Sequence, residues 1–314
     1  MAKTRRGIIG VDIGGTNIKT ALVTGQKIIR RARTSTRAER GLKDSLSQII
    51  KVVEPLCKDA KAIGIGIAGI IDSEKGTVKY SPNLKGWKNV PLGRILRAEF
   101  NLPVYVLNDV NAICLGEWKY GAGRRKKNVF LFTMGTGVGG GAICEGKLLF
   151  GAHGFAGEFG HTTIKLDGPK CTCGHSGHVE RYAGAKYIVA RARRKMAKRK
   201  SSLAKYDVLT PEKIACAAKS GDTVAREVFA EVGFYIGVGV ANVIALFDPD
   251  IIIIAGGIAQ AGRILFEPVR RTVSSMALGA EHRRHKIAPA QLGDDAGILG
   301  AALYAKLTIK GLTV

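Results

Sequence analysis

The sequence predicts an α/β protein in two lobes, and three observations carry that prediction. Apolar runs of strand length alternate with amphipathic helical stretches. Two glycine turns, DIGGTN at Asp12 to Asn17 and GTGVGGG at Gly135 to Gly141, each stand between apolar strands. The 314 residues are 46% hydrophobic, enough to bury a large core.

The opening stretch, GIIGVDIGGTNIKTALV, is apolar on both sides of its glycines and so predicts two paired strands. A Rossmann dinucleotide site needs its glycine loop to open a helix, whereas Ile18 to Val23 reads as a strand, which counts against such a site. A helix is predicted over Leu42 to Cys57, with Leu42, Leu46, Ile49, Val53 and Leu56 as its apolar stripe. The strand AIGIGIAGIID follows, then a loop through SPNLKGW, a short helix from Leu92 to Phe100, and a strand from Val104 to Leu107. That strand delivers Asn108 and Asp109 at its C-terminal end, where α/β sheets build ligand sites. NVFLFTMGTGVGGGAICEGKLLF repeats the opening design and reads as a weak internal duplication. A cysteine and histidine segment, a basic helix, a long helix from Val224 to Phe247, the buried strand DIIIIAGG and a last pair of helices complete the chain.

A formal net charge of +24 and a pI near 10.0 favour polyanions such as nucleotides or nucleic acid. The densest basic run, Arg191 to Lys200, has no aromatic residues to stack on bases, so it reads as a solvated helix face and predicts no specific nucleic-acid partner. The basic segment Met1 to Arg6 lacks the long apolar core of a signal peptide, and no span reads as long enough to cross a membrane. Cys57, Cys114, Cys144 and Cys216 are scattered through apolar segments instead of forming a disulfide framework, which fits a reducing cytoplasm.

Glycines let backbone amides approach phosphate oxygens, Thr16 and Thr136 add hydroxyl donors, and Asp12 is placed to reach Mg²⁺ directly or through water. Each turn alone is equally an ordinary glycine hairpin. Two of them, with a third glycine turn at Gly256 and Gly257 after a buried strand, favour a nucleotide site. Asp109 is a carboxylate suited to accept a hydroxyl proton during phosphoryl transfer, although an Asn-Asp pair is also a common turn. Glu158 and His161 share one glycine-bracketed loop, GFAGEFGH, and with Glu180 offer fixed groups for sugar hydroxyls; surface charge and a structural histidine are the alternative. In CTCGHSGHVE, two thiolates and flanking imidazoles, with His161 upstream, supply a four-coordinate zinc site; the C-x-C spacing also allows two buried free cysteines.

DIGGTN, LNDVNAICLGE, MGTGVGGGAICEGKLLFGAHGFAGEFGH, CTCGHSGHVE and IIIIAGGI occur in the order found in the ROK family (repressors, open reading frames and kinases), and the chain most resembles its bacterial glucokinases. The resemblance implies an actin-like, ribonuclease H-type fold whose two lobes close on ATP and sugar. The implied small lobe is 1–110 with 296–314 and the large lobe 111–295. Asp12, Gly14, Gly15 and Thr16, with Asn17 and Lys19 beside them, would meet ATP from one lobe, and Thr136, Gly137, Gly139 and Gly140 from the other. Gly256 and Gly257 would lie near the adenosine, Asp109 would be the general base, and Asn108, Glu158, His161, Glu180, Gly69 and Asn83 would bind the sugar. A structural zinc ion would sit on His161, Cys171, Cys173 and His178, the last standing where the family usually has a third cysteine, with His175 as the competing ligand. The implied activity is Mg²⁺- and ATP-dependent phosphorylation of a hexose, glucose first, with mannose, N-acetylglucosamine, N-acetylmannosamine or fructose as alternatives, by a homodimer or homotetramer. The family also holds sugar-responsive repressors with an N-terminal helix-turn-helix domain; here the first phosphate turn begins by Asp12, which leaves no room for one.

Overall fold

Apolar alternation on both sides of the first glycine turn produces a hairpin in which β1 (Gly7–Ile13) pairs antiparallel with β2 (Asn17–Thr24), Asp12 facing Lys19. The computed structural model describes residues 7–282 and 285–312, so the basic segment Met1 to Arg6 lies outside the described residues. A third strand, β3 (Lys27–Ser35), extends the hairpin; its outer positions carry Arg30, Arg31 and Arg33, which hid it from a hydrophobic reading. The helix expected over Leu42 to Cys57 divides: α1 (Leu42–Val53) gives way to a 3₁₀ turn at Glu54–Asp59 that Pro55 initiates. Next come β4 (Ala60–Ile67), β5 (Ile70–Asp72), β6 (Thr77–Tyr80), β7 (Lys88–Val90), α2 (Leu92–Phe100), β8 (Val104–Asn108) and α3 (Asp109–Tyr120). Then follow β9 (Val129–Met134), β10 (Val138–Cys144), β11 (Lys147–Leu148), α4 (Glu180–Ala183), α5 (Ala185–Met196), α6 (Pro211–Lys219) and α7 (Thr223–Phe247). The chain ends through β12 (Ile251–Ala255), α8 (Arg263–Met276), β13 (Lys286–Pro289) and α9 (Ala296–Ile309).

Two units divide the chain. The first comprises Met1–Arg125, Ala142–Ala156 and Gln291–Val314. Its five-stranded sheet runs β3-β2-β1-β4-β8, with β1, β4 and β8 parallel. One face buries Ile9, Val11 and Ile13 against Ile49 and Val53 of α1 and Leu92 and Leu96 of α2. The opposite face buries Ile8, Ala21 and Val23 against Ile298, Leu299 and Ala302 of α9. α9 lies so close to the sheet that Gly10 and Gly64 have no room for a side chain beneath the carbonyls of Ile298 and Ala301. α3 lies along α9, so the first unit keeps all of α3 and ends at Arg125 instead of 110. Buried Glu117 fastens the end of α3 to the approach to α9, accepting the backbone N–H groups of Ala122 (2.9 Å), Gln291 (2.9 Å) and Leu292 (2.7 Å). A small antiparallel sheet, β5-β6-β7, frames the SPNLKGW loop and was not anticipated.

The second unit comprises Lys126–Gly141 and Gly157–Ala290. β9, β12 and β13 are parallel at its centre, and β10 continues past Gly141 into the first unit, where it pairs with β11. Contrary to expectation, one span does have the length and composition to cross a membrane, the 25-residue α7. Its Val228, Val232, Ile236, Val240 and Ile244 are buried within the unit, and it packs closely on α8. The basic run also departs from expectation. Arg191 is buried, while Lys195 and Arg199 reach Glu227 on α7, so this face is partly neutralised and not simply solvated.

Candidate active site

In the first unit the turn after β1 is closed by Gly14 N–H donating to Asn17 O (3.0 Å), and it leaves Thr16 exposed at its tip. Thr36, which the sequence did not single out, braces this turn twice: its hydroxyl donates to Gly14 O (2.7 Å) and its N–H to Thr16 O (2.9 Å). Asn83 lies against Gly15, where an added Cβ would stand 3.3 Å from the Asn83 Cβ, so these two predicted site residues are neighbours. Asp12 sits against Gly297 in the first turn of α9. Burial pushes its carboxyl up to about 6; Lys19 opposes the rise and Asp294 adds to it. Lys19 itself is paired with Asp294 (2.8 Å) and Asn17 accepts from Arg33 (3.3 Å).

Asp109 is the first residue of α3, and Asn108 is its cap. The Asn108 oxygen accepts the N–H groups of Val110 (2.8 Å) and Asn111 (3.1 Å), and its amide nitrogen donates to Gly69 O (3.1 Å). One amide hydrogen of Asn108 remains for any ligand, so its main work is to fix Asp109 and the strand end at Gly69. Gly69 holds a φ of 130° and lies against the backbone of Tyr80 and Ser81, which no other residue type would permit. Gly66 on β4 admits α3 closely enough to bring Asp109 beside it.

In the second unit the turn between β9 and β10 repeats the design: Gly135 N–H donates to Gly137 O (3.0 Å) and Thr136 is exposed at the tip. Gly137 abuts the Glu180 carboxylate, which accepts the Val138 N–H (3.1 Å). Gly139 follows on the same strand, and Gly140 backs onto Gly157 and Phe159. Phe159 is the anchor between Glu158 and His161, stacked on Phe132 with ring centroids 4.7 Å apart. Glu158 is exposed at its edge, yet desolvation of its carboxyl raises its pKa above the usual carboxylate range, with His161 pulling it down and Glu180 pushing it up. Gly256, at φ 90°, lies on the backbone of Met134, and Gly257 faces Glu212 of α6, which the sequence reading did not mark.

One ligand atom from each of His161, Cys171, Cys173 and His178 lies within 4.8 Å of all the others. His161 Nδ1 is 3.3 Å from His178 Nδ1 and 4.0 Å from Cys171 Sγ, and Cys173 Sγ is 3.3 Å from His178 Nδ1. A tetrahedral ion at ordinary zinc bond lengths would space its ligands by about 3.3–3.8 Å, so the four fit a metal. His175 is exposed at the edge, its Nδ1 3.8 Å from Cys173 Sγ, and is not one of the four. Burial, with His161 and His175 nearby, lowers the His178 pKa from the usual histidine value, and Glu180 opposes the shift.

The chain is similar to known proteins along nearly its whole length. The ROK family model matches residues 8–308. The chain is 38% identical to a glucokinase of Thermotoga maritima, over 97% of this chain and 98% of that protein. It is 35% identical to a xylose repressor of Caldicellulosiruptor bescii, over 93% of this chain and 76% of the repressor. A ROK family glucokinase from Streptomyces griseus, solved in complex with glucose and AMPPNP, superposes with a TM-score of 0.83 at 35% identity, covering 96% of this chain and 99% of that one.

Proposed function

The chain belongs to the ROK family, and on that premise we propose that it transfers the γ-phosphoryl group of ATP to a hexose hydroxyl, glucose at C6 first. The observation that carries the reading is the Glu180 carboxylate bonded to the second glycine turn at Val138, in a chain similar to glucokinases along nearly its whole length. The amides of Gly14 to Thr16 and of Thr136 to Gly140 would meet phosphate oxygens, and Gly256 and Gly257 the adenosine. Mg²⁺ supplies charge neutralisation on the phosphates when bound, and Asp12 is the carboxylate that would hold it. Asp109 accepts the proton of the attacking hydroxyl as its oxygen bonds to the γ-phosphorus and ADP departs with the bridging oxygen. Gly69, Asn83, Asn108, Glu158, His161 and Glu180 orient the sugar. With Nδ1 turned to the metal cluster, His161 would use Nε2 for a hydroxyl. We assign the cluster to zinc; four protein ligands leave no open position, so the ion is structural and fixes the loop and turn that carry Glu158 and Glu180.

A coupled ADP-release assay over a panel of hexoses tests the reading, with glucose expected to give the highest kcat/KM. The xylose repressor relative and the net charge of +24 favour a second reading, a sugar-responsive regulator. Sugar binding without ADP release, together with sequence-selective DNA binding that survives physiological salt, would establish the regulator and overturn the kinase.

A further inference from the structure

Among the basic residues of helix α5, Arg191 is the buried one. Arg191 is 6% exposed, and its guanidinium makes two directed contacts. Nη1 donates to the carbonyl of Tyr182 in α4 (2.8 Å), and Nε pairs with Glu231 of α7 (3.0 Å). The Tyr182 ring is in turn stacked on Tyr235 of α7, with centroids 4.0 Å apart, and the guanidinium lies 5.7 Å from the Tyr235 ring. A buried guanidinium with both partners satisfied is a rigid fastener: losing it leaves the Tyr182 carbonyl without its donor, while Glu231 is partly exposed and keeps Lys195 at 2.6 Å.

What Arg191 fastens is the corner between α4 and α5, and that corner grips the second glycine turn from both sides. At its start the Glu180 carboxylate accepts the N–H of Val138; at its end the N–H of Ala185 donates to Gly135 O (2.9 Å). Residues 135–138 are thus held between two hydrogen bonds whose spacing depends on where α4 stands. α4 is a single turn of four residues, too short to hold its own position.

We propose that Arg191 is a positioning residue that locks the α4–α5 corner, and through it both Glu180 and the second glycine turn. Its kinetic consequence rests on the kinase reading; its structural consequence does not. Removal of the guanidinium unfastens α4 from α5, although the Tyr182–Tyr235 stack and the Lys195–Glu231 pair still tie the corner to α7, so sugar and nucleotide lose their fixed partners together.

The test compares Arg191→Met, Arg191→Lys and Glu231→Gln with the wild type, well below their melting temperatures. Hydrogen exchange in Arg191→Met should quicken at least tenfold in peptides covering 134–140 and 180–186, with β12 unchanged. KM for both glucose and ATP should rise at least fivefold. Arg191→Lys should restore part of both effects, because one ammonium can keep one partner. Glu231→Gln, which leaves the bond to Tyr182, should lower Tm with KM within about twofold of wild type. Unchanged exchange at the corner, or faster exchange with both KM values within twofold, overturns the proposal. If the wild type phosphorylates no hexose, the kinase reading fails, and the exchange data alone still decide whether Arg191 holds the corner.

Discussion

Asp12 should make the ligand-free protein less stable than an uncharged residue would. Its carboxyl is raised from 3.8 to about 6, chiefly by burial, so the native state binds a proton more tightly than the unfolded chain. Below 3.8 both states are protonated and the charge costs nothing; the cost grows between 3.8 and 6 and is complete above that. At 1.36 kcal/mol per pH unit the full cost reaches about 3 kcal/mol, a ceiling because the side chain keeps some contact with solvent. Asp12→Asn should therefore raise Tm by up to about 6–12 °C near pH 8 and hardly at all near pH 4, while abolishing Mg²⁺-ATP turnover. Mg²⁺-ATP should in turn raise the Tm of the wild type far more than that of the variant. Calorimetry at the two pH values decides it. No gain near pH 8, or an equal gain near pH 4, would show that the buried Asp12 charge does not destabilise the fold.

Metal analysis should find about one equivalent of zinc in the wild type, lost with weakened sugar binding in both Cys171→Ser and His178→Ala and kept in His175→Ala. Loss of the metal in His175→Ala alone would move the fourth ligand to His175. Glu117→Ala leaves three partly buried N–H groups without their acceptor and should cost about 3–6 kcal/mol in denaturant unfolding. Glu117→Gln keeps one acceptor oxygen and should cost roughly 1–3 kcal/mol; equal costs for the two variants would deny the carboxylate its joining role.

Both glycine hairpins, α2, α7 and β12 were legible because each is a run whose apolar period is its structure. β3 was not, since its outward positions carry arginines that pair with Asp59 and Asp295 far along the chain. The small sheet β5-β6-β7 is built from strands of three and four residues, too short to show a period. Of the candidate site, the structure brings His161, Cys171, Cys173 and His178 together as their residue types suggested, and the glycines of the two threonine-tipped turns marked both hairpins. What escaped was support by partners distant in sequence: Thr36 bracing the first turn, Glu117 joining α3 to α9, and Arg191 facing inward from a run that looked uniformly solvated. Asn108 shows the same limit, because its capping bonds and its bond to Gly69 depend on where β4 and α3 end.

We propose Asp109, at the start of α3, as the base of hexose phosphorylation. The most direct measurement is the kcat of Asp109→Asn on glucose and ATP, with glucose affinity measured alongside by calorimetry. The amide keeps a hydrogen bond to the hydroxyl but cannot take its proton, so kcat should fall about 10²- to 10⁴-fold while affinity stays within a few fold. A variant that keeps more than about a tenth of wild-type kcat would contradict the account, because a general base contributes at least about 10²-fold.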